Sequence, residues 1–147
     1  IIKVNRDLER IGDEAAKVAR QAVQLSEGGM SPSSFVEIRH IGALVGVLLR
    51  QSLDAFARLD VTKAIEVVRG DAEVDKEYGS AMRSLVTFMV EDPRNIGAIL
   101  NEMWALRSLE RIGDHACNIA EHVVYLVKGL DVRHGRLSEL GEEALDI

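Results

Sequence analysis

The sequence predicts an all-α protein: an antiparallel three-helix bundle, preceded by the last helix of a truncated bundle whose first two helices are absent. Three observations carry that expectation. Apolar residues recur at alternating steps of three and four, the spacing of helices packed along one stripe. The 47% apolar content with only 4% aromatics suits a core of Leu, Ile, Val and Ala, and 147 residues are enough for one domain. One stretch also occurs twice. Arg6 to Arg20 (RDLERIGDEAAKVAR) and Arg107 to Glu121 (RSLERIGDHACNIAE) lie 101 positions apart, so a unit of about a hundred residues is duplicated.

Residues 1–27 read as a helix that begins upstream of Ile1, because the chain opens inside a helical pattern without a methionine or a cap. Its seam is Leu8, Ile11, Ala15, Val18 and Leu25. By the repeat offset it is the equivalent of the last helix, and hence the final helix of the truncated first bundle. Its seam is therefore expected to lie open and to drive association into a homodimer or larger homo-oligomer. Residues 28–33 (GGMSPS) are a linker by composition. Ser34 with Glu37 forms a capping box, and Ile38, Ile41, Val45, Leu48, Ala55 and Leu59 carry a second helix to about Arg58. Asp60 caps a third, running to about Glu91; Asp92-Pro93 opens a fourth that ends at Lys128-Gly129. The short turns between these helices make neighbours antiparallel, an up-down-up bundle over residues 34–129. Residues 130–147 read as an acidic C-terminal tail.

The longest apolar run, Ile41 to Leu49, is bracketed by Arg39 and Arg50 and falls far short of the ~20 residues that span a bilayer. No transmembrane helix is expected. A lone cysteine, Cys117, rules out a disulfide within the chain and fits a reducing compartment, with the cytoplasm as the default location. The net charge of −6 argues against a nucleic-acid partner.

The residues able to carry chemistry are carboxylates. Glu110 and Asp114 fall one turn apart on the side of the last helix away from the seam of Leu109, Ile112, Ala116, Ile119, Val123 and Leu126; Arg107 and Glu121 share that outer stripe. Glu9 and Asp13 take the matching places in the first copy. Asp71 and Asp75 repeat the spacing on the middle helix, where each interrupts an apolar seam. One seam is Val61, Ile65, Val68, Ala72, Met82, Val86 and Met89, lacking a member at Asp75. The other is Val67, Val74, Tyr78, Ala81, Leu85 and Phe88, lacking one at Asp71. Carboxylates near a helix interface need counter-charge, either arginine, such as Arg107 or Arg111, or a metal ion. Joined with Glu110 and Asp114, the two aspartates offer four oxygen donors, which suit Mg, Mn, Fe or Ca before Cu and do not exclude Zn. Cys117 matches Ala16 of the first copy and reads as a small packing residue. His115 and His122 are seven apart, lack zinc-pair spacing and read as surface residues. Glu37-x-x-His40 is the one such motif, whereas a ferritin-like di-metal oxidase site needs two. Gly12 and Gly113, inside helices, point either to close packing or to ligand access beside the carboxylates.

Taken together, several motifs resemble those of the PhoU family, the accessory regulators of bacterial phosphate-specific transport. They are Arg-x-Leu-Glu-Arg-Ile-Gly-Asp-x-Ala twice, Asp71-x-x-x-Asp75, Asp92-Pro93, Asn118 to Glu121 and Tyr125 to Gly129. The resemblance runs from Ile1 to about His134. It implies two pseudo-symmetric three-helix bundles whose Glu/Asp-x-x-x-Asp motifs bind metal ions: Glu9 and Asp13 for the first bundle, Asp71, Asp75, Glu110 and Asp114 for the second. It also implies a non-enzymatic role, as a cytoplasmic adaptor peripheral to the inner membrane. Such an adaptor stands between the ATPase subunit of the phosphate ABC transporter and a phosphate-sensing histidine kinase, and keeps the phosphate-starvation response and high-affinity uptake off. A di-metal carboxylate enzyme and a metal-free helical adaptor remain the alternatives.

Overall fold

The computed structural model describes residues 2–28 and 35–129. Among the described residues there are four α-helices: α1 (Ile2–Glu27), α2 (Val36–Arg58), α3 (Val61–Glu91) and α4 (Ile96–Lys128), with a 3-10 turn (Pro93–Asn95) between the last two. No strand occurs among the described residues. The capping Ser34, most of the linker at 28–33 and the acidic tail at 130–147 lie outside them. No described helix is long and apolar enough to cross a membrane.

The boundaries follow from local chemistry. At the α2–α3 turn, the Asp60 amide donates to the Ala55 carbonyl at 2.9 Å, and the Asp60 side chain accepts from the Lys63 amide at 3.0 Å to start α3. Leu59 is left in the left-handed region at φ 53°, where its Cβ is crowded. Leu59→Gly is therefore expected to raise stability by about 1 kcal/mol, a melting-temperature gain of several degrees measurable by calorimetry. Asp92 caps the next turn through the Arg94 amide at 3.2 Å, with Pro93 in the first position, and Gly129 closes α4 at φ 69°.

The longest helix, α4, is also the hub: α1, α2 and α3 all pack on it, and α2 also packs on α3. The core is aliphatic, with Ile41, Leu85, Leu106, Ile119, Val67, Val74, Val123 and Val124 enclosed. Gly70 lets α2 come close to α3, since a Cβ there would meet Leu48 Cδ2 at 2.9 Å.

Three expected seams need correction. Along α3 the buried line is Ala64, Val67, Val74, Ala81 and Leu85, with Asp71 and Tyr78 partly buried within it. Ala72, Asp75 and Val86 of the first seam and Phe88 of the second are exposed, while Ile65 of the first is buried and Val61, Val68 and Met89 pack against the core, so each seam is buried in part. On α4, Leu126 is exposed while the rest of its seam is buried. On α1 the packed stripe runs Val4, Ile11, Val18 and Leu25, seven apart. Leu8, at 39% exposure, and Ala15 open outward, and nothing lies within 4 Å of a Cβ placed on Gly12. The open face of α1 thus matches, at the repeat offset, the face of α4 that α2 and α3 cover.

Between the apolar steps α1 presents Asp7, Glu14 and Gln21 to α4. Asp7 Oδ1 lies 2.9 Å from His115 Nδ1 and accepts from Asn118 at 3.3 Å, and its other oxygen is 3.4 Å from His122 Nε2. Glu14 Oε1 meets Lys17 Nζ at 2.8 Å and Arg111 Nη1 at 2.9 Å, and its carboxylate also bonds Ser108. Ser108 stands 101 positions after Asp7, and His115 the same distance after Glu14. The Asp7–His115 and Glu14–Ser108 contacts are therefore one contact repeated about a pseudo-twofold axis between antiparallel α1 and α4.

Candidate functional site

The carboxylates of the duplicated motif and of α3 meet along the α3–α4 groove. Asp71 sits in the core seam of α3 and faces α4 where Gly113 has no side chain: a Cβ there would stand 3.4 Å from Asp71 Oδ1 and 3.7 Å from Val74 Cγ1. Gly113 thus serves both close packing and room beside the carboxylate. One turn further along α3, Asp75 is exposed. On α4, Glu110 is held deep, its side chain 13% exposed, with Asp114 outward of it.

Electrostatics make these residues one group. Burial first, then the charges of Asp75, Asp114, Glu110 and Glu121, push the Asp71 carboxyl up to about 6. Burial and then Asp114 raise Glu110, against the lowering pull of Arg107; burial and then Asp75 raise Asp114. Cys117 belongs to the same neighbourhood. Burial first, and then Asp71, Glu121, Asp114 and Asp75, push its thiol far up, so it stays protonated. Two neighbours were not gathered into this group from sequence: Glu121, read as a residue of the outer stripe, and Cys117, read as a packing residue, which its partial burial fits. The signal for both was their spacing of seven and three from Asp114 on one helix.

Counter-charge is scarce. Arg107 Nη1 approaches both Glu110 oxygens at 3.1 Å but makes a hydrogen bond only to Oε1, and the buried Oε2 has no hydrogen-bond partner. Arg107 also bonds Tyr78. Arg111 is committed to Glu14. Arg107, His115 and Arg111 lower Asp114 through their charges, but burial and Asp75 outweigh them. The donors are all carboxylate oxygens apart from one protonated thiol, and one buried oxygen accepts no hydrogen bond although Arg107 stands beside it. That set fits a hard cation. As placed, no three acidic, His or Cys groups among the described residues already converge at ligand distances, so binding requires side-chain rotation within the groove.

The first-copy pair stands apart. Glu9 and Asp13 lie on the side of α1 away from α4, Asp13 pairing with Arg10 at 3.8 Å, and no carboxylate of another described helix joins them. The two histidines read as surface residues are instead largely enclosed between α1 and α4, where both hold Asp7. His40, of the Glu37-x-x-His40 motif, is exposed and 3.6 Å from Glu77.

Comparison with known proteins decides the family. The PhoU domain family matches residues 38–123, α2 through most of α4, which include Asp71, Asp75, Glu110 and Asp114. The chain belongs to the PhoU family. It is 61% identical over 137 residues to the phosphate-specific transport system accessory protein PhoU homolog of Pseudomonas aeruginosa, covering 93% of this chain and 57% of that protein. It is 42% identical over 134 residues to the Escherichia coli K12 accessory protein PhoU, covering 91% of this chain and 55% of that protein. The chain thus spans just over half the length of these relatives. Among solved structures, PhoU from Pseudomonas aeruginosa superposes with a TM-score of 0.84 at 60% identity, over 87% of this chain and 61% of that one. The phosphate transport system regulatory protein PhoU from Streptococcus pneumoniae gives 0.77 at 29% identity, over 88% and 60%. A PhoU helical-bundle fold is thereby established for the described helices.

Proposed function

We propose that the chain acts as a non-catalytic cytoplasmic adaptor that restrains the phosphate-starvation response and high-affinity phosphate uptake. It works at the inner face of the membrane, between the ATPase subunit of the phosphate ABC transporter and a phosphate-sensing histidine kinase. The observation that carries this reading is the family match over α2 to α4, together with the names its relatives bear. The groove of Asp71, Asp75, Glu110 and Asp114 is the proposed seat of a divalent or trivalent cation, Mg, Mn, Fe or Zn, supported by the buried Glu110 oxygen that accepts no hydrogen bond and by the mutual repulsion of the carboxylates. Bound there, a cation would neutralise mutually repelling charges and tie α3 to α4. Glu9 and Asp13 carry the same spacing and become ligands when another acidic helix is brought to α1. The open α1 face, Leu8 with Ala15, supports a homodimer.

The Arg107–Glu110 pair favours a second reading, in which the adaptor works without metal and the arginine supplies the counter-charge. Partner binding tests the function under either reading. Titrated separately with the purified ATPase subunit and with the cytoplasmic part of the kinase, the chain is expected to bind each with a Kd of about 10 μM or tighter. Failure to bind both would overturn the adaptor role.

A further inference from the structure

The start of α2 is built differently from that of α3. Its N-cap position is Phe35, which makes no side-chain hydrogen bond, whereas the Asp60 side chain caps α3. Space flanks it on both sides. A groove of about 190 Å³ separates Val36, Glu37, His40 and Ile41 from Glu77, Ala81 and Ser84 of α3. An apolar cavity of about 140 Å³ lies between Phe35 and Ile38 and Val18, Ala22 and Leu25 of α1. A helix end bordered by space on two sides is a place where local opening costs little.

Beneath that turn stands a buried acid. α2 runs parallel with α4, Gly42 beside Leu109 and Val45 beside Gly113, which brings Glu102 level with the beginning of α2. Glu102 is 2% exposed and its Oε1 has no hydrogen-bond partner. The charge of Glu37, on the first turn of α2, acts on it. His40 and Glu77 face each other across the groove, and α1 contributes only apolar side chains to the cavity.

We infer that the first two turns of α2 form a proton-operated latch, seated on α4 while Glu102 is neutral and loosened when Glu102 ionises. A buried ionised carboxylate with a bare oxygen has to be hydrated. The start of α2, bordered by space on two sides and bearing the like-charged Glu37, is the element that yields. Burial first, with a smaller addition from Glu37, lifts the Glu102 carboxyl from 4.5 to about 7, which places the transition in the neutral range. The sign follows from proton binding. Between about 4.5 and 7 the seated form holds a proton that the loosened form releases, so seating weakens as pH rises through that window and is level above it. Such a device would couple cytoplasmic pH to the surface that α2 and α3 present, independently of any metal in the α3–α4 groove.

Hydrogen exchange of the amides of His40 to Val45, corrected for intrinsic rates, tests the latch at pH 6 and pH 8.5. The parent chain is expected to exchange at least about threefold faster at the higher pH, while Glu102→Gln shows no change. A parent chain without that rise, or a Glu102→Gln variant that shares it, overturns the inference. The titration of the Glu102 carboxyl carbon by NMR in the parent chain is a second check that needs no variant. A midpoint near 7 supports the latch, and one near 4.5 contradicts it.

Discussion

Replacing Glu14 by lysine is expected to undock α1 from α4, destabilising the fold by about 3–5 kcal/mol. Glu14 is 2% exposed at the centre of that interface, and both Arg111 and Lys17 converge on one of its oxygens. A lysine there would bury a third cation against two that have lost their partner. Burial alone would raise the Glu14 carboxyl, but the hydrogen bonds from Lys17 and Ser108 and the charges of Arg111 and Lys17 outweigh it and hold it below its ordinary value. The contribution is therefore fully present above about pH 4.5 and is lost as pH falls through the depressed value. Glu14→Leu is the informative companion. It removes the buried charge and extends the apolar stripe of Ile11 and Val18, so it is expected to lie within about 1 kcal/mol of the parent. Urea unfolding with limited proteolysis of α1 separates the two outcomes. A lysine variant as stable as the parent would mean that α1 is not held through this contact.

Asp71→Asn is expected to stabilise the metal-free chain by about 1–2 kcal/mol at pH 8, while abolishing stabilisation by added cation. Asp71 is partly buried among four other carboxylates, and its carboxyl is raised from 3.8 to about 6. Its folded value lies above its unfolded one, so the folded chain binds the extra proton between those limits. The contribution of Asp71 to parent stability falls as pH rises from about 4 to 6 and is level beyond, so over that window the parent loses more stability than the asparagine variant, in which the other raised carboxyls remain. Manganese added at pH 8 should raise the melting temperature of the parent by several degrees and leave the variant unmoved. Melting curves in chelator and in millimolar manganese at three pH values provide the check. An asparagine variant less stable than the parent throughout would show that Asp71 is satisfied by a partner rather than waiting for a cation.

Much of this molecule is legible in its amino-acid order. The caps at Asp60 and Asp92 and the stop at Gly129 are local chemistry, written within a few residues of where they act. The duplicated ERIGD motif predicts the equivalence of α1 and α4, and the pseudo-twofold contacts of Asp7 and Glu14 follow it. The stripes were harder. α3 carries apolar residues on more than one face, so periodicity offers two neighbouring seams, and only packing shows that Val67, Val74 and Leu85 are enclosed while Val86 is not.

The polar seam is illegible for a different reason. Asp7, Glu14, His115 and His122 are types that belong to surfaces unless something pairs them, and the partners lie on a helix a hundred or so residues away. Glu102 escapes notice likewise: a single glutamate on a helix with abundant apolar residues carries no mark of burial. For the carboxylate groove, spacing of four predicts that Glu110 and Asp114 share a side, and that Asp71 and Asp75 do. The addition of Glu121 and Cys117 needed the register between α3 and α4.

The claim on which the account turns is that the α3–α4 groove is a cation seat. Elemental analysis of the purified chain beside a Glu110→Gln/Asp114→Asn variant, both prepared without affinity metals or chelator and then dialysed against manganese, tests it most directly. The account predicts at least one bound metal ion per parent chain and its loss in the variant. Equal metal in both, or none in either, would contradict it and leave Arg107 as the counter-charge of that groove.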